Sequence, residues 1–197
     1  MIAQEKAAAQ AADSSQKITD NIAALLAATE KSQVSGGSVV SGDSAVGNAI
    51  AQKALTRVGY MYVWGGCHSM SEIANPNHTA FDCSGLVNWA YYQSGVNIGS
   101  NNTKSLASKG VSVSRNNMQA GDIILFSSNG STSGIHHVGI YIGGGNMVHA
   151  PQTGKPVQVA DLGYSYWQKD GMTFVDCINT IRWASLLIFF ITYIWNS

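Results

Sequence analysis

The order of helical and β-like segments along this chain is the feature that most narrows its fold. Residues 45–58 place apolar side chains on one face of a helix, and a second helix is predicted to begin near Cys83. From residue 111 onward the pattern changes to short runs bounded by Gly, Asn, Ser or Asp, which predict strands. These runs are residues 123–126, 138–142, 146–149, 157–160 and 173–178. Because helices precede strands and no βαβ alternation occurs, the sequence predicts an α+β fold.

Three further segments flank this region. Residues 1–32 are rich in Ala, Gln, Lys and Glu, and a short apolar seam through them fits either a coiled coil that self-associates or a lone solvated helix. Residues 33–44 are rich in Gly and Ser and predict a flexible linker, so the main domain is expected over residues 45–182. Residues 183–197 carry no charge and fit a marginal membrane anchor, an interfacial segment or a tail without a selected role.

Charge argues against one class of partner. The chain contains eleven Lys and Arg residues and eleven Asp and Glu residues, and no basic stripe is present. A chain without net charge has no field that attracts nucleic acid, so nucleic-acid binding is not expected.

The cysteines suggest a nucleophile. Of the three, Cys83 falls at the first turn of the second predicted helix, between Asp82 and the small residues Ser84 and Gly85. Free amide groups and the positive end of the dipole at a helix start favour a thiolate, so a lowered pKa is expected for Cys83. Cys67 and Cys177 are expected to be small buried residues, and a disulfide between them stays open.

Histidines provide the base that a thiol nucleophile needs. His137 and His149 lie on the two strands of a predicted β-hairpin whose turn is a run of glycines. Their even separation is expected, in a hairpin without bulges, to place both on one face, with His136 on the other face beside Val138 and Ile140. One imidazole would face the thiol and the second would orient the first.

Several ordered blocks of sequence resemble the NlpC-type peptidoglycan endopeptidases, a family of papain-like bacterial cysteine peptidases, and order and spacing agree over residues 45–182. The blocks are residues 62–66 (Tyr-Val-Trp-Gly-Gly), 82–87 (Asp-Cys-Ser-Gly-Leu-Val), 120–126 (Ala-Gly-Asp-Ile-Ile-Leu-Phe), 137–143 (His-Val-Gly-Ile-Tyr-Ile-Gly) and 147–151 (Met-Val-His-Ala-Pro).

This resemblance implies a papain-like fold, in which N-terminal helices pack on an antiparallel sheet and the nucleophile starts a helix. It implies a triad of Cys83, His137 and His149. It also implies that Tyr62 lies beside the thiolate, and that Asp82 and Ser84 hold the free amine of the substrate.

The implied reaction is hydrolysis of the bond between D-γ-glutamate and the diamino acid of peptidoglycan stem peptides, without metal or cofactor. Such an enzyme is expected to act outside the cell or in the wall. Residues 1–16 lack the apolar core of a secretion signal, so the chain is either part of a longer exported protein or exported by another route.

The chain also departs from the family pattern. Met61 replaces the usual Pro before Tyr62, and the loop over residues 67–80 is longer than in many relatives. Cys67, His68 and His78 within this loop do not match the spacing of a closed zinc site.

The alternatives are a peptidoglycan amidase or an acyltransferase on the same fold, a non-catalytic wall-binding module, and an antibacterial effector with the same chemistry.

Overall fold

The computed structural model of the protein describes residues 42–167 and 171–176. The predictions for residues 1–32, for most of the linker and for the tail over residues 183–197 concern residues outside these ranges, as does the prediction for Cys177. Within the described ranges, no helix combines the length and the apolar character that crossing a membrane requires.

Four α-helices come first along the described chain. They are α1 (Gly42–Leu55), α2 (Met70–Ala74), α3 (Cys83–Gln93) and α4 (Thr103–Leu106). Helix α1 begins three residues before the predicted start, and a turn replaces its predicted last residues. Helix α3 begins where it was predicted, and its apolar positions are buried. Helix α2 lies in the segment that was predicted to be a loop.

Six strands form one sheet. They are β1 (Val111–Val113), β2 (Ile123–Ser127), β3 (Ile135–Gly143), β4 (Asn146–His149), β5 (Gln158–Asp161) and β6 (Gly171–Asp176). Their order is β1-β6-β2-β3-β4-β5, and every neighbouring pair is antiparallel. The α+β prediction is confirmed. Strand β1 was not predicted because it is three residues long, mostly exposed and at the sheet edge.

The core lies on both faces of the central strand β2, which is buried along its whole length. Ile124 and Phe126 pack in a cluster with Met147 and Phe174 on one face. The alternate residues of β2 point to the other face. Helix α3 contacts α1, α2, α4 and β3. This packing brings the start of α3 close to the β3–β4 hairpin, where the predicted site residues lie.

Candidate active site

The sequence around Cys83 favours a sharp helix start. Asp82 is the N-cap of α3, and its Oδ1 accepts a hydrogen bond of 2.7 Å from the Gly85 amide. Cys83 is the first helical residue. A Cβ atom on Gly85 would lie 1.9 Å from the Gly66 carbonyl oxygen, so only glycine allows this close approach. The local sequence thus provides, in order, the N-cap Asp82, the thiol of Cys83 and, at Gly85, the room for the Gly66 backbone to pack against the helix.

The β3–β4 hairpin brings His137 and His149 together, as predicted. Their Nε2 and Nδ1 atoms lie 2.8 Å apart, and the ring centroids lie 5.0 Å apart. Both side chains are buried, with exposed fractions of 9% and 1%.

The reason given for this contact was wrong, because the hairpin contains a bulge. Gly143 pairs with Asn146 next to the turn. If that register continued without a bulge, every paired couple would be separated by an odd number of residues, so His137 and His149, which are separated by an even number, would lie on opposite faces of the hairpin. The register shifts between Tyr141 and Gly143, so that farther from the turn Ile140 pairs with Val148. The extra residue restores the parity that puts the two histidines on one face.

A second bulge changes the expected position of His136. Phe126 pairs with His137 and Ser127 pairs with Ile135, so His136 is the extra residue between them. It is exposed and lines the same cleft as His137, whereas Val138 is buried. The prediction that His136 shares the face of Val138 was therefore wrong.

Both paired imidazoles are held in an apolar environment. Trp167 stacks on His137 with centroids 5.8 Å apart and an interplanar angle of 18°, and its ring meets His149 edge-on at 5.2 Å. Burial, and then the charge of His149, lower the pKa of His137 to about 3. Burial, and then Lys155, lower the pKa of His149 to about 4. Both rings are consequently neutral near pH 7 and able to accept a proton.

The Cys83 thiol is partly exposed and protonated in the resting site. Burial, and then the Asp82 carboxylate, raise the pKa of Cys83 to about 11, although amide groups of Val138, Ser84 and Cys83 itself act in the opposite direction. The expectation of a lowered pKa was wrong because burial and a neighbouring negative charge outweigh the helix start.

Cys83 and His137 line one cleft of about 550 Å³ between the start of α3 and the β3–β4 hairpin. Tyr62, Asp82 and Ser84 line it as well, so the structure brings these predicted residues to one place. His149 lies behind His137 and lines a neighbouring cavity. Burial, and then the charges of Cys83 and Asp82, raise the pKa of Tyr62 to about 12, which keeps its hydroxyl protonated.

His68 lines the cleft as well, although sequence analysis considered it only as a metal ligand. Its Nε2 lies 3.0 Å and 2.9 Å from the two carboxylate oxygens of Asp82. Ser84 Oγ donates to the same carboxylate at 3.1 Å. No periodic pattern indicated His68, because its position depends on how residues 67–80 fold back onto the start of α3.

The other residues considered for a metal site make different contacts. Cys67 is a fully buried free thiol, as expected, and burial raises its pKa to about 12. The His78 ring contacts the Ala80 carbonyl oxygen at 2.7 Å. Across the part of the chain that the structure describes, no three His, Cys, Asp or Glu side chains are grouped as metal ligands.

Comparison with known proteins identifies relatives of the main domain. A probable endopeptidase of Mycobacterium tuberculosis is 42% identical over 59% of this chain and 26% of its own length. The gamma-D-glutamyl-L-lysine dipeptidyl-peptidase of Bacillus subtilis is 32% identical over 61% of this chain and 38% of its own. The crystal structure of the NlpC/p60 domain of the peptidoglycan hydrolase SagA has 36% identity and a TM-score of 0.51, covering 66% of this chain and 97% of that one.

The chain spans about a quarter of the mycobacterial relative, so the similarity concerns one domain of a larger protein. The sequence profile of the NlpC/P60 family matches residues 59–176. Since this match extends over more than half of the sequence, the chain belongs to the NlpC/P60 family.

Proposed function

We propose that this protein is a cysteine endopeptidase that hydrolyses peptidoglycan stem peptides, with Cys83 as nucleophile, His137 as base and His149 as the residue that orients His137. The observation that carries the proposal is the arrangement of the cleft. A thiol at the start of a buried helix and a neutral imidazole line the same cavity, and a second imidazole holds the first at 2.8 Å. The names of the relatives support a peptidoglycan substrate.

In the first half of the reaction, the Cys83 sulfur attacks the scissile carbonyl carbon while the thiol proton passes to His137. Because Nε2 of His137 contacts His149, the ring nitrogen that serves the thiol is Nδ1. The resting site holds a protonated thiol and a neutral imidazole in one cleft, so in this proposal the proton moves as the sulfur attacks and not before. His137 then gives the proton to the leaving amine, the C–N bond breaks, and the acyl group remains on sulfur as a thioester.

In the second half, His137 takes a proton from water as the water oxygen attacks the thioester carbonyl. The C–S bond breaks, the acid product leaves, and the proton returns to the sulfur. In both halves a negative charge develops on the carbonyl oxygen. The amides of Cys83 and Ser84 at the helix start and the protonated Tyr62 hydroxyl are the donors that would stabilise it.

The proposed bond is the one between D-γ-glutamate and the diamino acid. The Bacillus subtilis relative is a gamma-D-glutamyl-L-lysine dipeptidyl-peptidase, and the blocks around Cys83 and His137 resemble the endopeptidases of the family. An enzyme with this substrate would act outside the cell or in the wall.

The test is to incubate the protein with purified muropeptides and identify the products by mass spectrometry. Cleavage at the proposed bond releases a fragment that begins with the diamino acid and leaves L-Ala-D-Glu on the other product. An amidase would instead release the whole stem peptide from the sugar, an acyltransferase would add mass to an acceptor, and a binding module would leave every mass unchanged. Any of these three results would contradict the proposal.

A further inference from the structure

We propose that Gln158 is a positioning residue of this site: its side-chain carbonyl accepts a hydrogen bond from His149 and thereby fixes the tautomers of both paired imidazoles. This inference rests on the proposed function, because it concerns the ring nitrogen of His137 that takes the thiol proton. It extends the arrangement of His137 and His149 from β3 and β4 onto β5.

Three neighbouring strands of the sheet place polar side chains next to one another. His137 of β3 contacts His149 of β4, with Nε2 and Nδ1 2.8 Å apart. On the far side of β4, His149 is paired directly with Gln158 of β5, and directly opposed residues of an antiparallel pair present their side chains to the same face. The Gln158 amide accordingly lies 3.5 Å from Nε2 of His149. The strand register thus puts Gln158 behind His149, as His149 lies behind His137.

The proposed reaction determines where the ring protons must lie. His137 accepts the thiol proton at Nδ1, and a neutral imidazole carries one ring proton, so its resting proton lies on Nε2. This Nε2–H donates to Nδ1 of His149. His149 can accept there only if its own proton lies on Nε2, the nitrogen that faces Gln158.

The Nε2 proton of His149 needs an acceptor from the protein. The His149 side chain is 1% exposed, and a buried donor without a partner destabilises the state that contains it. Within the described part of the chain, the side chain that meets this nitrogen is that of Gln158. Its amide oxygen can accept the proton while leaving Nδ1 of His149 free for His137.

The two ends of the Gln158 amide select opposite tautomers. In the structure the amide nitrogen faces Nε2 of His149. If that nitrogen donates, the His149 proton lies on Nδ1 and donates to His137, whose own proton is then on Nδ1, where it cannot accept from the thiol. When the amide is turned by half a rotation, Oε1 faces His149 and both imidazoles take the tautomer that the reaction needs. The reacting site therefore requires the second orientation.

The cavity beside His149 leaves the amide room to turn and keeps the imidazole neutral. Its volume is about 680 Å³, and Gln158 lines it. Lys155 is the cation among the described residues of its wall, and burial and then this charge lower the pKa of His149 to about 4. His149 thus carries one proton at neutral pH, and the question is which nitrogen holds it. The other titratable groups that line the cavity are His136, His137, Asp161, Tyr164 and Tyr166.

Gln158→Met tests the contact with a side chain of similar length that has no carbonyl group. We expect kcat for muropeptide hydrolysis to fall about tenfold and KM to change less than about twofold, because Gln158 acts through His149. Asp161→Asn is the matched control and should leave both constants unchanged. Asp161 lies on the same strand and lines the same cavity, and asparagine keeps the oxygen that accepts from the Gly163 amide. A higher KM with an unchanged kcat would show that Gln158 binds substrate instead and would overturn the proposal.

Gln158→Glu distinguishes a positioning role from a structural one. Either carboxylate oxygen can accept from His149, so kcat at about pH 8 should stay within about twofold of the wild-type value. The new charge raises the pKa of His149, and below that pKa both ring nitrogens are protonated, so Nδ1–H donates to His137 and leaves its proton on Nδ1. The acidic limb of kcat should therefore move to higher pH by about one pH unit or more. Asp161→Asn should not move it in that direction, and an unmoved limb in Gln158→Glu would contradict the contact.

¹⁵N NMR of the full-length protein without substrate separates this inference from the proposed function, because protonated and unprotonated ring nitrogens have different chemical shifts. We expect His137 and His149 to carry their protons on Nε2, and we expect Gln158→Met to give a mixture of tautomers. If no peptide is hydrolysed, the proposed peptidase activity fails, and these signals still decide the role of Gln158. A His149 proton on Nδ1 in the wild-type protein, or signals that Gln158→Met leaves unchanged, would overturn the inference.

Discussion

The two walls of the cleft are built from opposite kinds of environment. On the hairpin wall, His137 and His149 are buried against the Trp167 ring, and burial lowers the pKa of both. On the helix wall, Asp82 keeps a network of hydrogen bonds with His68, Ser84 and the Gly85 amide. The imidazoles of the hairpin wall are shielded from water, whereas the carboxylate of the helix wall accepts hydrogen bonds from several groups of the protein.

This difference separates proton transfer from recognition. A buried neutral imidazole cannot bond to water, so its second ring nitrogen needs a hydrogen-bond partner from the protein. His149 is that partner for His137. A carboxylate with several donors is suited to fix the position of a loop and to discriminate between ligands. Cys83 stands between the two walls, because its thiol is close to Asp82 while its proton must reach His137. The variants below are chosen to disrupt one wall at a time.

The largest effect is expected at the residue between the walls. Cys83→Ala should lower the rate of muropeptide hydrolysis by about four orders of magnitude or more, because no other group can form the thioester. The unfolding temperature should change little, since the thiol is partly exposed. Product release followed by mass spectrometry measures the rate. Cys67→Ala is the matched control and should retain most activity; equal loss in both variants would reject Cys83 as the nucleophile.

The hairpin wall should show a graded response. His137→Ala removes the base and should lower kcat by about three orders of magnitude, whereas His149→Ala removes only the residue that orients it and should cost about ten- to a hundredfold. His136→Ala should cost less than about tenfold, since His136 is an exposed residue of the cleft, whereas His149 is buried and holds His137 at 2.8 Å. Rates for all three on one substrate test the register, and the assignment fails if His136→Ala is slower than His137→Ala.

Much of the hairpin wall could be predicted, because both the sequence blocks around the histidines and the alternation of apolar residues along the strands indicate it. The glycine turn and the two strands follow from the sequence pattern, and the family resemblance implies the contact between His137 and His149. The bulge that makes the pairing possible could not be predicted, since one extra residue reverses strand parity and leaves the hydrophobic pattern almost unchanged. The contact was predicted correctly because the family resemblance implies it. The parity argument reached the same result, but it assumed a hairpin without bulges.

The helix wall was harder to predict beyond its motif. The start of α3 and the burial of its apolar face were predictable from period and capping. The contact between His68 and Asp82 joins residues fourteen positions apart through a loop that contains a short helix. Its geometry depends on the packing of Gly66 against residues 80 and 81 and of Gly85 against Gly66. Those contacts arise only in the folded chain, so no local pattern encodes them.

The apolar character of the hairpin wall can be tested through pH. His137 must be neutral to act as base, so kcat/KM should rise as pH increases through its pKa and should stay high at pH 5 in the wild-type protein. Trp167→Leu lets water reach the ring, which should raise the pKa toward its ordinary value and move the acidic limb to higher pH. We expect about a tenfold loss at pH 5 and a smaller loss at pH 7.5.

Profiles of kcat/KM against pH for the two proteins provide the measurement. Tyr166→Leu is a suitable control, because Tyr166 packs edge-on against Trp167, and no contact joins it directly to the paired imidazoles in the part of the chain that the structure describes. An acidic limb near pH 6.5 in the wild-type protein, or one that does not move in Trp167→Leu, would show that burial does not set the pKa of the base.

The smallest effect is expected when both ends of the chain are removed, because every residue assigned to either wall lies within residues 62–167. A protein of residues 41–182 retains all of α1 and the strand β6, which pairs with both β1 and β2. The described part of the chain begins at Gly42, the first residue of α1. This shorter protein should fold, and it should hydrolyse soluble muropeptides within about twofold of the full-length rate, since every residue of both walls is present.

Removal of residues 183–197 should also make the protein more soluble, because an uncharged tail of large apolar residues favours association. Sedimentation and kcat/KM for the two proteins test both statements. Activity on intact walls is the useful contrast, since a coiled coil or an anchor in the removed segments would position the enzyme there and not on soluble fragments. If the shorter protein were unfolded, the removed segments would be needed for the stability of the domain.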